Sequence, residues 1–199
     1  MQVVSIVLAA GFSRRFGAAK QMARLADATL LERAVKTALA AGLKPVFVVL
    51  REEQKTAFCV ANLDNFLSVP AVVPVLNPEA AEGMASSVRA GVHAAASAKG
   101  TTGVVVLACD QPAVTAEHLR ELARGGDEVV ASGYAGRKGV PAYFPARVFP
   151  ELLELRGDAG ARGLLATARV VELPGGELDI DTVEDLERAA RLYGHLPGL

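Results

Sequence analysis

The 199-residue chain has no tryptophan, two cysteines and only 5% aromatic residues. Cys59 and Cys109 are too few for a disulfide framework and fit a reducing compartment. The 21 basic and 22 acidic residues almost cancel, so no excess of positive charge favours a polyanion, and aromatic platforms interleaved with basic residues are missing. A nucleic-acid partner is therefore not expected. No apolar run approaches the ~20 residues of a membrane span. The first residues run directly into a strand-like segment without a basic leader or cleavable apolar stretch, so a cytoplasmic location is expected. Repeats, low-complexity tracts and linkers are also lacking. The length suits one domain over 1–199.

What the chain does have is 51% hydrophobic content, carried by Ala, Val and Leu. Strand-like and helix-like segments alternate. Val3–Val7, Pro45–Leu50, Val72–Leu76 and Gly103–Leu107 read as buried strands, with Pro74 placing the third at an edge or bulge. Thr29–Ala41 has helical spacing closed by Gly42, and helices are expected over Arg51–Ala61, Ser86–Ala98 and from Thr115. Glu128–Ser132 is strand-like, and Gly133–Phe144 reads as an excursion ending in another strand. Two short helices, a strand over Arg169–Leu173 and a helix from Val183 follow. This alternation predicts an α/β fold, a doubly wound and mostly parallel sheet that takes ligands at the carboxyl ends of its strands.

The first strand opens into Leu8-Ala9-Ala10-Gly11-Phe12-Ser13-Arg14-Arg15-Phe16-Gly17-Ala18-Ala19-Lys20. Small residues let backbone N–H groups approach a phosphate, and Arg14, Arg15 and Lys20 would neutralise it; otherwise the stretch is a strand-to-helix turn with exposed basic residues. The glycine spacing is not the dinucleotide fingerprint. Nor is it the P-loop, because no Ser or Thr follows Lys20.

Cys109-Asp110-Gln111-Pro112 follows the strongest strand, so Asp110 falls at the same carboxyl edge. A carboxylate there could hold Mg²⁺ against phosphates, or it could cap the next helix. Cys109 reads as a small buried residue rather than a nucleophile. Asp179-Ile180-Asp181-Thr182 precedes Val183-Glu184-Asp185, an N-capping pattern that becomes functional only if the segment returns beside Asp110. Asn77 opens a loop leading to Ser86 and Ser87, which either cap a helix or form an anion- or base-binding lip. In Arg156-Gly157-Asp158-Ala159-Gly160-Ala161-Arg162, Asp158 could contact a second substrate or begin a helix. His93, His118 and His195 show no metal-ligand spacing and read as surface or packing residues.

Together, Leu8 to Lys20, Cys109 to Pro112 and Asp179 to Leu186 resemble the MobA-like nucleotidyltransferases, three motifs in order across nearly the whole chain. The resemblance implies a three-layer Rossmann-like fold of the nucleotide-diphospho-sugar transferase kind. It also implies a nucleoside triphosphate, Mg²⁺, and release of pyrophosphate as the nucleoside monophosphate passes to an acceptor. Ala9-Ala10-Gly11, Gln111 and Gly157 to Arg162 look like the molybdenum cofactor cytidylyltransferase branch. That branch implies CTP, with the molybdenum-pterin cofactor as acceptor, and docking of a molybdoenzyme or its chaperone near the site. GTP with another phosphorylated acceptor, and a silent nucleotide-binding module, are the alternatives. The resemblance assigns Arg15 and Lys20 to the triphosphate, and Asp110 with Asp181 to the metal, Asp179 being the fallback. Leu8, Ala9, Ala10, Gly11, Arg14, Asn77, Ser86 and Ser87 fall on the nucleotide side. Gln111, Gly139, Pro141 and Asp158 fall on the acceptor side. Val140 stands where many relatives have His, and Ala80 where many have Trp.

Overall fold

Alternate residues of each apolar run point to opposite faces of a sheet, and here both faces are covered. The computed structural model describes residues 2–13, 15–54, 71–157 and 161–194. Its strands are β1 (Gln2–Leu8), a short ribbon β2 (Arg24–Leu25) and β3 (Ala28–Thr29), β4 (Val46–Leu50), β5 (Val72–Leu76), β6 (Thr101–Ala108), β7 (Val130–Tyr134), β8 (Arg137–Pro145) and β9 (Arg169–Glu172). Seven of them form one sheet in the order β5-β4-β1-β6-β8-β7-β9. Only β8 runs against its neighbours. The order steps outward from β1 in both directions, which is the doubly wound arrangement, with its crevice at the carboxyl ends of β1 and β6.

Val7, Val48, Val105 and Leu107 face α1 (Leu30–Ala40) and α3 (Ala116–Leu122), where Leu31, Val35, Leu119 and Leu122 are buried. Val4, Ile6, Val49, Val104 and Val106 face the other layer, made by α2 (Met84–Ser97), α4 (Phe149–Leu153) and α5 (Arg162–Leu165). A third cluster joins Leu25 and Leu30 to Leu178, Ile180 and Ala189, fastening α6 (Val183–Tyr193) and the segment before it to the ribbon. The α1 helix begins in a reciprocal cap. Thr29 Oγ1 accepts from Glu32 N at 3.1 Å, and Glu32 Oε2 accepts from Thr29 N at 2.6 Å.

Over the described residues the expected strands and helices are present; one expectation holds as stated and two elements shift. β5 is an edge strand, as Pro74 requires of a residue without an N–H to donate. α2 starts at Met84 rather than Ser86, because Gly83, at φ 112°, turns the chain two residues earlier. The excursion after position 132 is a hairpin: β7 runs on to Tyr134, and β8 returns between β6 and β7. Its two-residue turn, Ala135-Gly136, has φ 48° and 72°. Such turns usually carry Asn or Asp first, and Ala135 hides the signal. Of the helix expected over Arg51–Ala61, residues 52–54 are helical and the remainder lies outside the described residues.

Candidate active site

β1 ends at Leu8, and the loop after it is tied down at both ends. Ala9 N donates to Val49 O at 3.0 Å, and the buried Gln54 donates through Nε2 to Ala9 O at 3.1 Å. Ser13, at φ 51°, accepts from Phe16 N and Gly17 N through its carbonyl, while its Oγ accepts from Lys20 N at 3.3 Å. Those bonds curl the loop and begin the turn that carries Lys20 back towards the sheet. Gly17, at φ 74°, takes a left-handed conformation that a side chain would strain.

Lys20 Nζ donates to Asp110 Oδ2 at 2.6 Å and to Asp181 Oδ1 at 2.8 Å. Arg15 reaches the other oxygen of Asp181 at 3.3 Å from a side chain that is 79% exposed. Burial is the strongest influence on Lys20 and favours its neutral form. The two carboxylates outweigh it and hold the ammonium above the ordinary lysine range. Asp110 follows β6 directly. Asp181 arrives because Ile180 is fully buried in the third core cluster and its N–H donates to Asp110 O at 2.9 Å. The capping pattern is satisfied without Asp181, since Asp185 Oδ2 accepts from Thr182 N and Thr182 Oγ1 accepts from Asp185 N. The segment thus serves both readings, with Asp185 capping α6 and Asp181 free to meet Lys20.

A cavity of about 1000 Å³ opens above this edge. Leu8, Ala9, Ala10, Gly11 and Lys20 line one wall, and Asp110, Asp179 and Asp181 its floor. Burial, with repulsion from Asp110, raises Asp179 to about 6 against a partial offset from Arg137. Gln111 and Gly139 line the side of the β7–β8 hairpin. Its Tyr134 hydroxyl and the Gln111 amide both donate to Val140 O, at 3.1 Å each.

Other expected residues fall elsewhere. Pro141 is part of β8, and it is Val140 beside it that lines the cavity. Ser87 lines the cavity; Asn77 and Ser86 are buried beneath it, Asn77 Nδ2 donating to both serine hydroxyls at 2.9 and 3.0 Å. Neither serine caps α2, whose N-cap is Gly83, so they fix the loop instead. Arg14 and Asp158 lie outside the described residues, as do Cys59 and His195. Burial pushes the Cys109 thiol up to about 12, in keeping with a packing residue. Arg162, which ends the run that begins at Arg156, lines the far wall, and Arg137 and Lys138 beside it were not anticipated. Position 137 opens the strand after the hairpin turn, which the sequence reads only as an excursion.

A mostly parallel sheet carrying a small-residue loop and a lysine between two aspartates at its carboxyl edge is the build of an enzyme for phosphorylated substrates. Residues 5–173 match the MobA-like NTP transferase domain, and the chain belongs to that family of nucleotidyltransferases. It is 34% identical over 205 residues to the purine catabolism protein PucB of Bacillus subtilis, covering 95% of this chain and 96% of that one. It is 34% identical over 182 residues to a probable molybdenum cofactor guanylyltransferase of Opitutus terrae, covering 86% and 84%. Among solved structures, Rv0371c of Mycobacterium tuberculosis superposes with TM-score 0.77 at 31% identity, covering 96% of this chain and 99% of that one. The same protein in complex with manganese gives 0.71 at 29%, covering 96% and 98%. A nucleotidyl transferase from Methanothermobacter gives 0.78 at 25%, covering 96% and 97%.

Proposed function

We propose that the protein transfers CMP from CTP to the molybdenum-pterin cofactor and releases pyrophosphate. The observation that carries this reading is Lys20 held between Asp110 and Asp181 at the mouth of the small-residue loop. An oxygen of the acceptor's terminal phosphate attacks the α-phosphorus of CTP. The new P–O bond forms as the bond to the β-phosphate oxygen breaks, and that electron pair leaves with pyrophosphate. Such a reaction asks the protein chiefly for alignment and charge stabilisation. Lys20 and Arg15 neutralise the triphosphate and the departing pyrophosphate. Backbone N–H groups near Ala10 and Gly11 receive the phosphates or base, Ser87 shapes the nucleotide wall, and the Gln111–Gly139 side receives the acceptor.

Mg²⁺ fits the residues present. Asp110 and Asp181 already converge on one cation, the Lys20 ammonium. No set of three His, Cys, Asp or Glu ligands is gathered among the described residues, and magnesium needs none when phosphate and water oxygens complete its shell. When bound there it would screen the phosphate charge and polarise the α-phosphorus. The manganese complex of Rv0371c supports a divalent ion at this fold.

Ala9-Ala10-Gly11 and Gln111 support CTP. The Opitutus relative's name supports the molybdenum cofactor as acceptor, and it also favours a second reading in which GTP is the donor. Docking of a molybdoenzyme or its chaperone beside the cavity belongs to the same reading. Among the described residues no helix is long and apolar enough to cross a membrane. Mass analysis of the product after incubation with molybdenum-pterin cofactor, Mg²⁺ and equal CTP and GTP tests the proposal. A cytosine dinucleotide is expected. A guanine dinucleotide would assign the second reading, and no dinucleotide would refute both.

A further inference from the structure

The cavity floor carries three carboxylates, Asp110, Asp179 and Asp181. An acceptor phosphate brought in from the hairpin side is repelled by them unless a cation stands on that side too. Lys20 is already committed to two of the three. Lys138 is tied to backbone, its Nζ donating to Ala166 O and Ala168 O at 2.8 Å each. Of the two arginines on the far wall, Arg137 and Arg162, it is Arg137 that stands beside a carboxylate of the floor, Asp179. Its guanidinium lies 3.9 Å from Asp179, beyond hydrogen-bond distance, and its side chain is 59% exposed on the cavity wall. A loose pair of this kind leaves guanidinium donors for a ligand, and Arg is suited to phosphate by its planar fork.

Its place is set by neighbours. The guanidinium carbon sits 5.1 Å from the centre of the Tyr134 ring, within cation–π range. The Tyr134 hydroxyl is anchored on Val140 O, with the Gln111 amide 3.5 Å away. Gly139 makes room for it, because any Cβ there would collide with that hydroxyl. Gln111 is the residue after Asp110, so one short chain of contacts runs from the catalytic edge through Tyr134 to the guanidinium.

We infer that Arg137 is the acceptor-binding residue, a fork that holds the acceptor's terminal phosphate across the cavity from Lys20, with Tyr134 as its positioning residue. The identity of the acceptor rests on the function proposed above; the phosphate site does not. With molybdenum-pterin cofactor as acceptor, Arg137→Ala is expected to raise acceptor KM by about 10- to 100-fold, the scale of a lost charge-assisted hydrogen bond. KM for the nucleotide should stay within about twofold, because the loop assigned to the nucleotide follows β1, which β6 separates from β8 in the sheet. Arg137→Lys should recover part of the loss, and Tyr134→Leu should raise acceptor KM while leaving nucleotide KM alone. An unchanged acceptor KM, or an equal rise in both constants, would overturn the inference.

A second measurement is independent of turnover. With a non-hydrolysable CTP analogue filling the nucleotide wall, phenyl phosphate should move the Arg137 Nε–H resonance, identified by its loss in Arg137→Lys. No movement at saturating phenyl phosphate overturns the site. Movement in a protein that transfers nothing to the pterin cofactor keeps the site and removes only the proposed acceptor.

Discussion

Lys20 and its two aspartates come from positions far apart in the chain, and the two carboxylates hold the ammonium in a pocket from which much water is excluded. The Lys20 side chain is 13% exposed and that of Asp110 17%. Lys20→Ala leaves Asp110 and Asp181 without the ammonium between them, and leaves Arg15 as the one remaining cation of the two assigned to the triphosphate. Turnover is expected to fall by ~10²–10³, the usual loss for one such electrostatic group, with the fold retained. Initial rates and thermal unfolding on the same preparations check this. Arg15 is mostly exposed and its contact is longer, and surface ion pairs are worth only ~0–1 kcal/mol. Loss of that pair alone costs less than about tenfold, so a larger fall in turnover on Arg15→Ala measures its neutralisation of the triphosphate, and a smaller fall would remove Arg15 from that role.

At the scale of elements, the segment from Asp179 to Asp185 does two jobs with neighbouring carboxylates. Asp185 closes the cap of α6 through Thr182, and that closure orients the turn from which Asp181 reaches Lys20. Removing the cap by Thr182→Ala should lower stability by ~1 kcal/mol. It should also lower turnover, while Thr182→Ser should restore both. Normal turnover in a destabilised Thr182→Ala would separate cap from site. The sequence makes both roles visible and leaves their division open. That division depends on Ile180 being buried against the ribbon and bonding to Asp110, a contact across about seventy residues of chain. For the same reason the loop, the Asp110 turn and the strand alternation are legible from local pattern, whereas the β7–β8 hairpin is not. Ala135 adopts a backbone that its side chain does not advertise, and Arg137 reaches the cavity only through that turn.

Across the whole molecule, the layer of α1 and α3 is joined to the far half of the sheet through a buried polar contact. His118 Nε2 lies 2.7 Å from Ser132 Oγ, which in turn donates to Pro141 O at 2.6 Å. The serine proton is used by the carbonyl, so the imidazole Nε2–H donates to Ser132 Oγ. Burial lowers the His118 pKa, with Glu121 opposing weakly. A lowered folded-state value means the stability is complete above the ordinary histidine pKa of ~6.5 and is lost as pH falls below it, because the unfolded chain takes the proton first. The urea midpoint of the wild type should drop between about pH 7 and 5 more steeply than that of His118→Gln. The difference between the two proteins isolates the histidine from the carboxylates, and equal slopes would refute the linkage.

The most direct test of nucleotidyl transfer at the Lys20–Asp110–Asp181 edge is pyrophosphate release with molybdenum-pterin cofactor and Mg²⁺, comparing CTP, GTP, ATP and UTP in wild type and Asp110→Ala. The account predicts release that prefers CTP and is nearly abolished by Asp110→Ala. Release that survives the substitution, or none with any of the four nucleotides, would contradict it.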